Sequence, residues 1–260
     1  MMRSLYTAAT GMMVQEQKMN VVANNLANSS TTGFKRARAE FSELLPDRIQ
    51  SAGAAGGGNQ SPTPIEVGLG ARVNAVARDF GTGDLIGTDN ALDVAIEGPG
   101  FLRVARNNGE FGYTRAGNLR IDSEGRLVTA AGDPLDPGIT LPPEATDITI
   151  GRDGAVSARV SGRDEPVAIG TLELTVFQNP AGLESIGGNL FRATSAAGNP
   201  TAARPGERGT GQLAQGFLEG SNVKSIEEML DLITTQRSYE MNSKIIQTAD
   251  QMLQKLSNLK

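Results

Sequence analysis

The sequence has 260 residues, a formal net charge of −5 and a pI near 5.0, and it contains no Cys, His or Trp. An acidic balance without a dense basic face argues against nucleic acid as a partner. Without His or Cys the Ser-His-Asp and Cys-His constellations are excluded, so an enzyme would have to work with carboxylates, Lys, Tyr or a bound cofactor.

Residues 1 to about 45 read as helix. Leu5, Met12, Met19 and Leu26 recur every seventh residue, with Ala8 and Val22 between them and Met13, Val14 and Val21 off the strip. A helix that is apolar over more than one stripe packs on more than one neighbour. The opening stretch "MMRSLYTAATGMMVQEQKMN" is interrupted by Gln15, Glu16, Gln17 and Lys18 and has no A-x-A-like site after it. It is therefore expected not to be a cleaved signal peptide. No run approaches the roughly 18 apolar residues of a membrane span, and no membrane insertion is expected.

The run "ANNLANSSTTGFKR" (23–36) ends that helix, because Asn and Ser side chains compete for backbone hydrogen bonds. Gly33 would permit a bend there and Phe34 would anchor it. Lys35, Arg36 and Arg38, answered by Glu40 and Glu43, read as a solvated mixed-charge helix face. From 46 to 70 the chain is Gly/Ser/Pro-rich. Gly56, Gly57 and Gly58, with Pro46, Pro62 and Pro64, rule out helix and predict a long extended or mobile insert.

Residues 71 to 185 have strand and turn character. "FLRV" (101–104), "LRID" (119–122), "RLVT" (126–129), "ITI" (148–150) and "TLELTVF" (171–177) are strand candidates. In the last, Leu172, Leu174 and Val176 alternate with Thr171, Glu173 and Thr175, the period-two signature of a half-buried strand. "RNNGE", "DSEGR" and "GRDGA" place Gly where tight turns need positive φ. From about 221 the pattern is helical again, with Asn222 or Ser225 as cap and Glu227 and Glu228 in the first turn. Its apolar strip runs Ile226, Leu230, Ile233, then Arg237, Met241, Ile245, Ala249, Met252, Leu256 and Leu259, at a mean spacing of about 3.67 residues.

Candidate chemistry is sparse. "GTGDLIG" (81–87) and "EGPGFLRV" (97–104) lack the third Gly of a dinucleotide fingerprint. "DSEG" and "GRDG" do not continue into a calcium loop. Asp89, Asp93 and Glu97 could pair as carboxylates, but no aromatic platform for sugar stands near them. The Met-rich N-terminal helix reads as adaptable packing. No catalytic, cofactor-binding or metal residue is expected.

The expected fold is α+β, with paired N- and C-terminal helices forming a coiled-coil-like stalk (1–33 and 221–260) and a central antiparallel β-domain (71–185). Residues 34–70 and 186–220 would connect them. Leu5, Met12, Met19 and Leu26 would pack with the C-terminal strip, and the stalk would order fully only when subunits stack, since isolated helices are marginal in water.

Two motifs at opposite ends carry a resemblance. Ala23, Asn24, Asn25, Leu26, Ala27 and Asn28, then Gly33, Phe34 and Lys35, stand as A-N-N-L-A-N followed by G-F-K. Toward the C-terminus come Ser221, Asn222 and Val223, Glu228 and Met229, and then Gln236, Arg237, Ser238, Tyr239 and Glu240. Together with "YTRAGNLRIDSEGRLVTAAG" and "FQNPAGLESIGGNLF" these resemble the bacterial flagellar rod and hook proteins, nearly end to end. Length and insert are most similar to distal rod members. The resemblance implies a homo-oligomeric periplasmic tube in the flagellar basal body, exported unfolded by the type III apparatus. Its neighbours would be proximal rod proteins, the hook protein and the ring or bushing proteins. It further implies that the terminal helices line the tube and that the insert lies against neighbouring subunits and stiffens it. The alternatives are another axial protein of the family, a secreted protein-binding adaptor or, least favoured, a carboxylate-based glycan hydrolase.

Overall fold

The computed structural model describes residues 2–50, 55–56, 59–60, 63–106, 109–160 and 165–257. The chain divides into two units. A helical unit comprises Met1–Ala27, Ala37–Arg78 and Lys224–Lys260, and a β unit comprises Asn28–Arg36 and Asp79–Val223. This division differs from the expected one. Residues 37–78 belong with the helices, and residues 186–220 supply strands of the β unit rather than a connector.

In the helical unit, α1 (Met2–Ala27) runs antiparallel to α2 (Ser225–Ser257). Asn25 Nδ2 donates to Glu228 Oε2 at 3.1 Å, Lys18 Nζ lies 3.7 Å from Asp231 Oδ1, and a Cβ at Gly11 would lie 3.0 Å from Asn242 Nδ2. The buried residues on α1 are Ala8, Val14, Val21, Val22 and Asn25, and on α2 Glu228, Thr235 and Ala249. These three contacts between the helices run through a glycine and polar side chains, and a residue as small as Gly11 lets two helix backbones approach closely.

The two strips expected to pair the helices differ in burial. Leu5, Met12, Met19 and Leu26 are only half-buried. Ile226, Leu230, Ile233, Met241, Ile245 and Met252 are 46–76% exposed. The Leu256 side chain lies outside the described residues.

The segment after α1 departs from the helical reading. Ala37, Ala39 and Phe41 alternate with Arg38, Glu40 and Ser42, a period of two, and they form strand β1 (Ala37–Glu43). β1 pairs with β6 (Ala71–Arg78), from Ala37↔Arg78 to Glu43↔Ala71. Inside that ladder β2 (Asp47–Gln50) pairs with β5 (Ile65–Val67), and β3 (Ala55–Gly56) with β4 (Asn59–Gln60). The insert is therefore a nested two-stranded ribbon. Pro46 and Pro64 sit just before β2 and β5, where a missing N–H costs no ladder bond. Gly56 closes β3, while Gly57, Gly58 and Pro62 lie outside the described residues.

The β unit is mostly antiparallel. Its largest sheet orders Glu184–Gly187, Leu190–Arg192, Phe111–Thr114, Phe101–Ala105, Leu174–Val176 and Thr201–Ala203. "TLELTVF" is not one strand: Val167–Thr171 joins Ala145–Ile150 and Ala155–Val160, and Leu174–Val176 joins the large sheet. The break falls where the Leu172 N–H turns to the Gly154 carbonyl at 2.8 Å. One cluster of Val94, Ile96, Leu102, Leu174 and Leu213 and a second of Phe101, Tyr113, Phe177 and Phe191 fill the interior. Three short pairs complete the unit among the described residues: Gln212–Gln215 with Val94–Glu97, Phe217–Glu219 with Leu85–Gly87, and Arg120–Ile121 with Leu127–Val128.

Candidate assembly joint

α1 ends at Ala27, and the polar run beyond it is part of the β unit. The Asn28 side chain accepts from Thr31 Oγ1 at 3.2 Å while its carbonyl accepts the Thr31 N–H at 3.1 Å, a local turn of the kind Asn favours. Gly33 then takes φ +69° and donates its N–H to the Glu219 carbonyl at 2.8 Å. A Cβ at Gly33 would come within 2.7 Å of the Ala116 backbone nitrogen. Gly33→Ala therefore combines a left-handed backbone with a clash against main chain that cannot step aside. It is expected to cost about 2–5 kcal/mol, read as a lowered urea midpoint.

Phe34 is buried, and Lys35 is buried completely. Lys35 Nζ lies 2.6 Å from Glu219 Oε1 and donates to the Gly81 carbonyl at 2.6 Å. The other oxygen, Glu219 Oε2, accepts from Arg115 Nε at 2.7 Å, and Oε1 also accepts the Gly83 N–H at 3.0 Å. Arg115 Nη1 donates to the carbonyls of Gly98 and Gly100 at 3.0 Å, and its Nη2 to that of Ile96 at 3.2 Å. The solvated helix face expected for Lys35, Arg36 and Arg38 is thus wrong for Lys35, whose carboxylate partner lies 184 residues away in sequence.

The protonation states follow from this packing. Burial, with the Arg115 charge adding to it, pushes the Lys35 ammonium below its ordinary value, against the pull of Glu219. Burial tends to raise the Glu219 carboxyl, but hydrogen bonds and charge from Arg115 and Lys35 outweigh it and hold it below the usual carboxylate range.

Asn222 closes the joint instead of capping α2. Its Oδ1 accepts the Arg36 N–H at 2.7 Å, and its Nδ2 donates to the carbonyls of Asp79 and Gly81 at 2.9 and 3.2 Å. In the helical unit Asn25 plays a matching part. Its amide accepts the Ala37 N–H at 2.9 Å and donates to the Ala37 carbonyl at 2.8 Å, pairing with one residue of β1 as a neighbouring strand would.

The remaining motif residues lie on helix surfaces. Asn24, Gln236, Arg237, Tyr239 and Glu240 are exposed, and Gln236 Nε2 donates to Glu240 Oε1 at 3.3 Å. Glu228, expected only as an acid in the first turn of the C-terminal helix, is buried against Asn25. Arg115 stands inside "YTRAGNLRIDSEGRLVTAAG" and Glu219 two residues before Ser221; neither is marked by its motif, and a charged residue closing an otherwise apolar strand, as Glu219 does, is the signal for the second.

A cavity of about 510 Å³ beside the joint is lined by Asn28, Thr31, Thr114, Asn118 and Asn189 among others, with no charged side chain in its walls.

Comparison with known proteins covers the whole chain. Residues 5–35 match a family model described as flagella basal body rod protein, and residues 95–158 one described as flagellar hook protein FlgE/F/G D1 domain. Residues 214–259 match one described as flagellar basal body rod FlgEFG protein C-terminal. The chain is 47% identical over 261 residues to the flagellar basal-body rod protein FlgG of Caulobacter vibrioides, with 100% of both chains covered. It is 38% identical over 265 residues to that of Bacillus subtilis, again with 100% of both covered. To the flagellar basal-body rod protein FlgF of Caulobacter vibrioides it is 34% identical, over 94% of this chain and 91% of that one.

Proposed function

Because the chain belongs to the flagellar basal-body rod protein family, we propose that it is a structural rod subunit that builds the distal rod. In this reading copies assemble side by side into a rigid hollow helical tube in the periplasm, through which exported flagellar proteins pass and along which torque is transmitted. The observation that carries it is the exposed strip of α2. Ile226, Leu230, Ile233, Met241, Ile245 and Met252 face water although smaller residues are buried at the seam. An exposed apolar run of this length marks an interaction surface. One helix face meeting a different face on the next copy is a heterologous contact, and such contacts build open filaments. The α1–α2 pair would then act as a coiled-coil-like stalk completed by neighbouring subunits. Proximal rod proteins, the hook protein and the ring or bushing proteins are the further partners of this reading, and the type III apparatus its export route.

Electron microscopy of the concentrated protein tests it. Straight tubes are expected, and protein that stays monomeric at the highest attainable concentration would overturn the proposal in favour of an adaptor. The ribbon, with Pro46, Gly56, Gly57, Gly58, Pro62 and Pro64, is the proposed stiffening element. Deleting residues 46–63 leaves the β1–β6 ladder in register, so tubes of the shortened chain are expected to form but to curve. Unchanged straight tubes would remove the stiffening role.

A further inference from the structure

The chain passes into or out of the β unit at residues 28, 36, 79 and 223, and the joint grips the segments next to those points. Gly33, Lys35 and Arg36 come from the first segment, Asp79, Gly81 and Gly83 from the second, and Glu219, Gly220 and Asn222 from the third. The Gly220 N–H adds a bond to the Asp84 carbonyl at 2.8 Å. No residue of 28–36 or 217–223 belongs to either hydrophobic cluster of the unit. These segments are held by buried charge and hydrogen bonds, whereas the sheet strands are held by apolar packing, to which Phe80 of the second segment belongs through its edge-on contacts with Phe101 and Phe191 at 5.4 and 5.2 Å. Regions with few apolar contacts open at lower free energy than the core around them.

From this contrast we propose that residues 28–36, 81–87 and 217–223 form a latch that opens and closes in one step, with the Glu219 carboxylate as its fastening, while the sheet core and Phe80 stay folded. The geometry makes the opening concerted. If 217–223 left alone, Lys35 and Arg115 would remain as two cations at buried sites whose shared carboxylate had gone. If 28–36 left alone, Glu219 would lose the Gly33 N–H and the Lys35 ammonium together. Each partial opening leaves Lys35 or Glu219 at a closed site without the other, whereas opening all three releases both to water together. The latch stands independently of whether the chain forms tubes.

Hydrogen exchange of the full-length protein, read by mass spectrometry on peptides, tests it. In the unsubstituted chain the three segments should share one opening rate, faster than that of Phe101–Ala105 and Leu174–Val176. Glu219→Gln should raise exchange in all three by on the order of a hundredfold or more while the two core strands stay within about threefold. Lys35→Met, in which Glu219 keeps Arg115, should leave all three within about threefold. Faster exchange of the whole β unit in Glu219→Gln, or of residues 217–223 alone, would overturn the proposal. Should that variant fail to fold, the unsubstituted chain decides. Three unequal opening rates, or protection equal to that of the core strands, would refute the latch.

Discussion

Glu219→Gln is expected to destabilise the protein by about 3–5 kcal/mol, the cost of breaking a buried ion pair from one side. The neutral amide fits the same space but leaves the Lys35 ammonium and the Arg115 guanidinium without the charge that reconciles them. Lys35→Met is expected to change stability by less than about 1 kcal/mol. The carboxylate keeps Arg115 and the Gly83 N–H, and the Gly81 carbonyl keeps Asn222. Urea unfolding of the two variants measures the asymmetry, and equal losses would refute the reading of Glu219 as the shared counter-charge.

Acid should act in the same direction as Glu219→Gln. The Glu219 carboxyl titrates below its ordinary 4.5 in the folded chain, so the unfolded chain binds the extra proton first as pH falls. Its contribution is complete above 4.5 and is lost as pH drops through the lower folded value. Lys35 has the opposite consequence at the alkaline end. With its folded value below 10.5, stability from this group rises as pH climbs through the window up to 10.5. Asp79, whose field raises Lys35, is the other acid acting on that ammonium. A urea midpoint that is flat below pH 4.5 in the unsubstituted protein and in Glu219→Gln alike would contradict this account.

The second large effect concerns assembly. Leu230→Asp combined with Ile233→Asp places two carboxylates on the exposed strip of α2, at positions 60% and 46% exposed. In the monomer these are surface changes, worth within about 0.5 kcal/mol. Between subunits each buried Leu or Ile would contribute about 1.5–3 kcal/mol, so losing two should raise the concentration needed for assembly by on the order of a hundredfold or more. Sedimentation and thermal unfolding separate the outcomes. Loss of polymer with an unchanged Tm supports the strip as the interface, and an unchanged assembly threshold rules it out.

Much of the fold could be read from local chemistry. The stop after α1 follows from Asn28 and its neighbours, and the β turns at Gly125 and Gly154 fall where Asp-containing tetrads predict positive φ. The partners across long sequence distances could not be read. Lys35 beside Arg36 and Arg38 looks like surface because its neutraliser stands 184 residues on, and no periodicity connects the two. The exposure of the α2 strip could not be read for a related reason. Hydrophobic periodicity locates apolar faces, and it does not say whether the face meets its own chain or the next one. Gly11, Asn25, Glu228 and Asn242 pair within the chain because small or hydrogen-bonding side chains allow close approach.

The nested ribbon has a practical consequence. Its base is registered by β1 and β6, and the Leu44 N–H closes onto the Gly70 carbonyl at 2.8 Å beyond the last pair. Everything between those two residues can therefore grow or shrink without shifting a single rung below it. That makes the arm a natural address for a grafted epitope, a fluorophore attachment site or a protease cleavage sequence. A reporter placed beyond β2 and before β5 would track each subunit while leaving the Arg3–Asp47 ion pair with α1 and the buried Glu219 cluster in place.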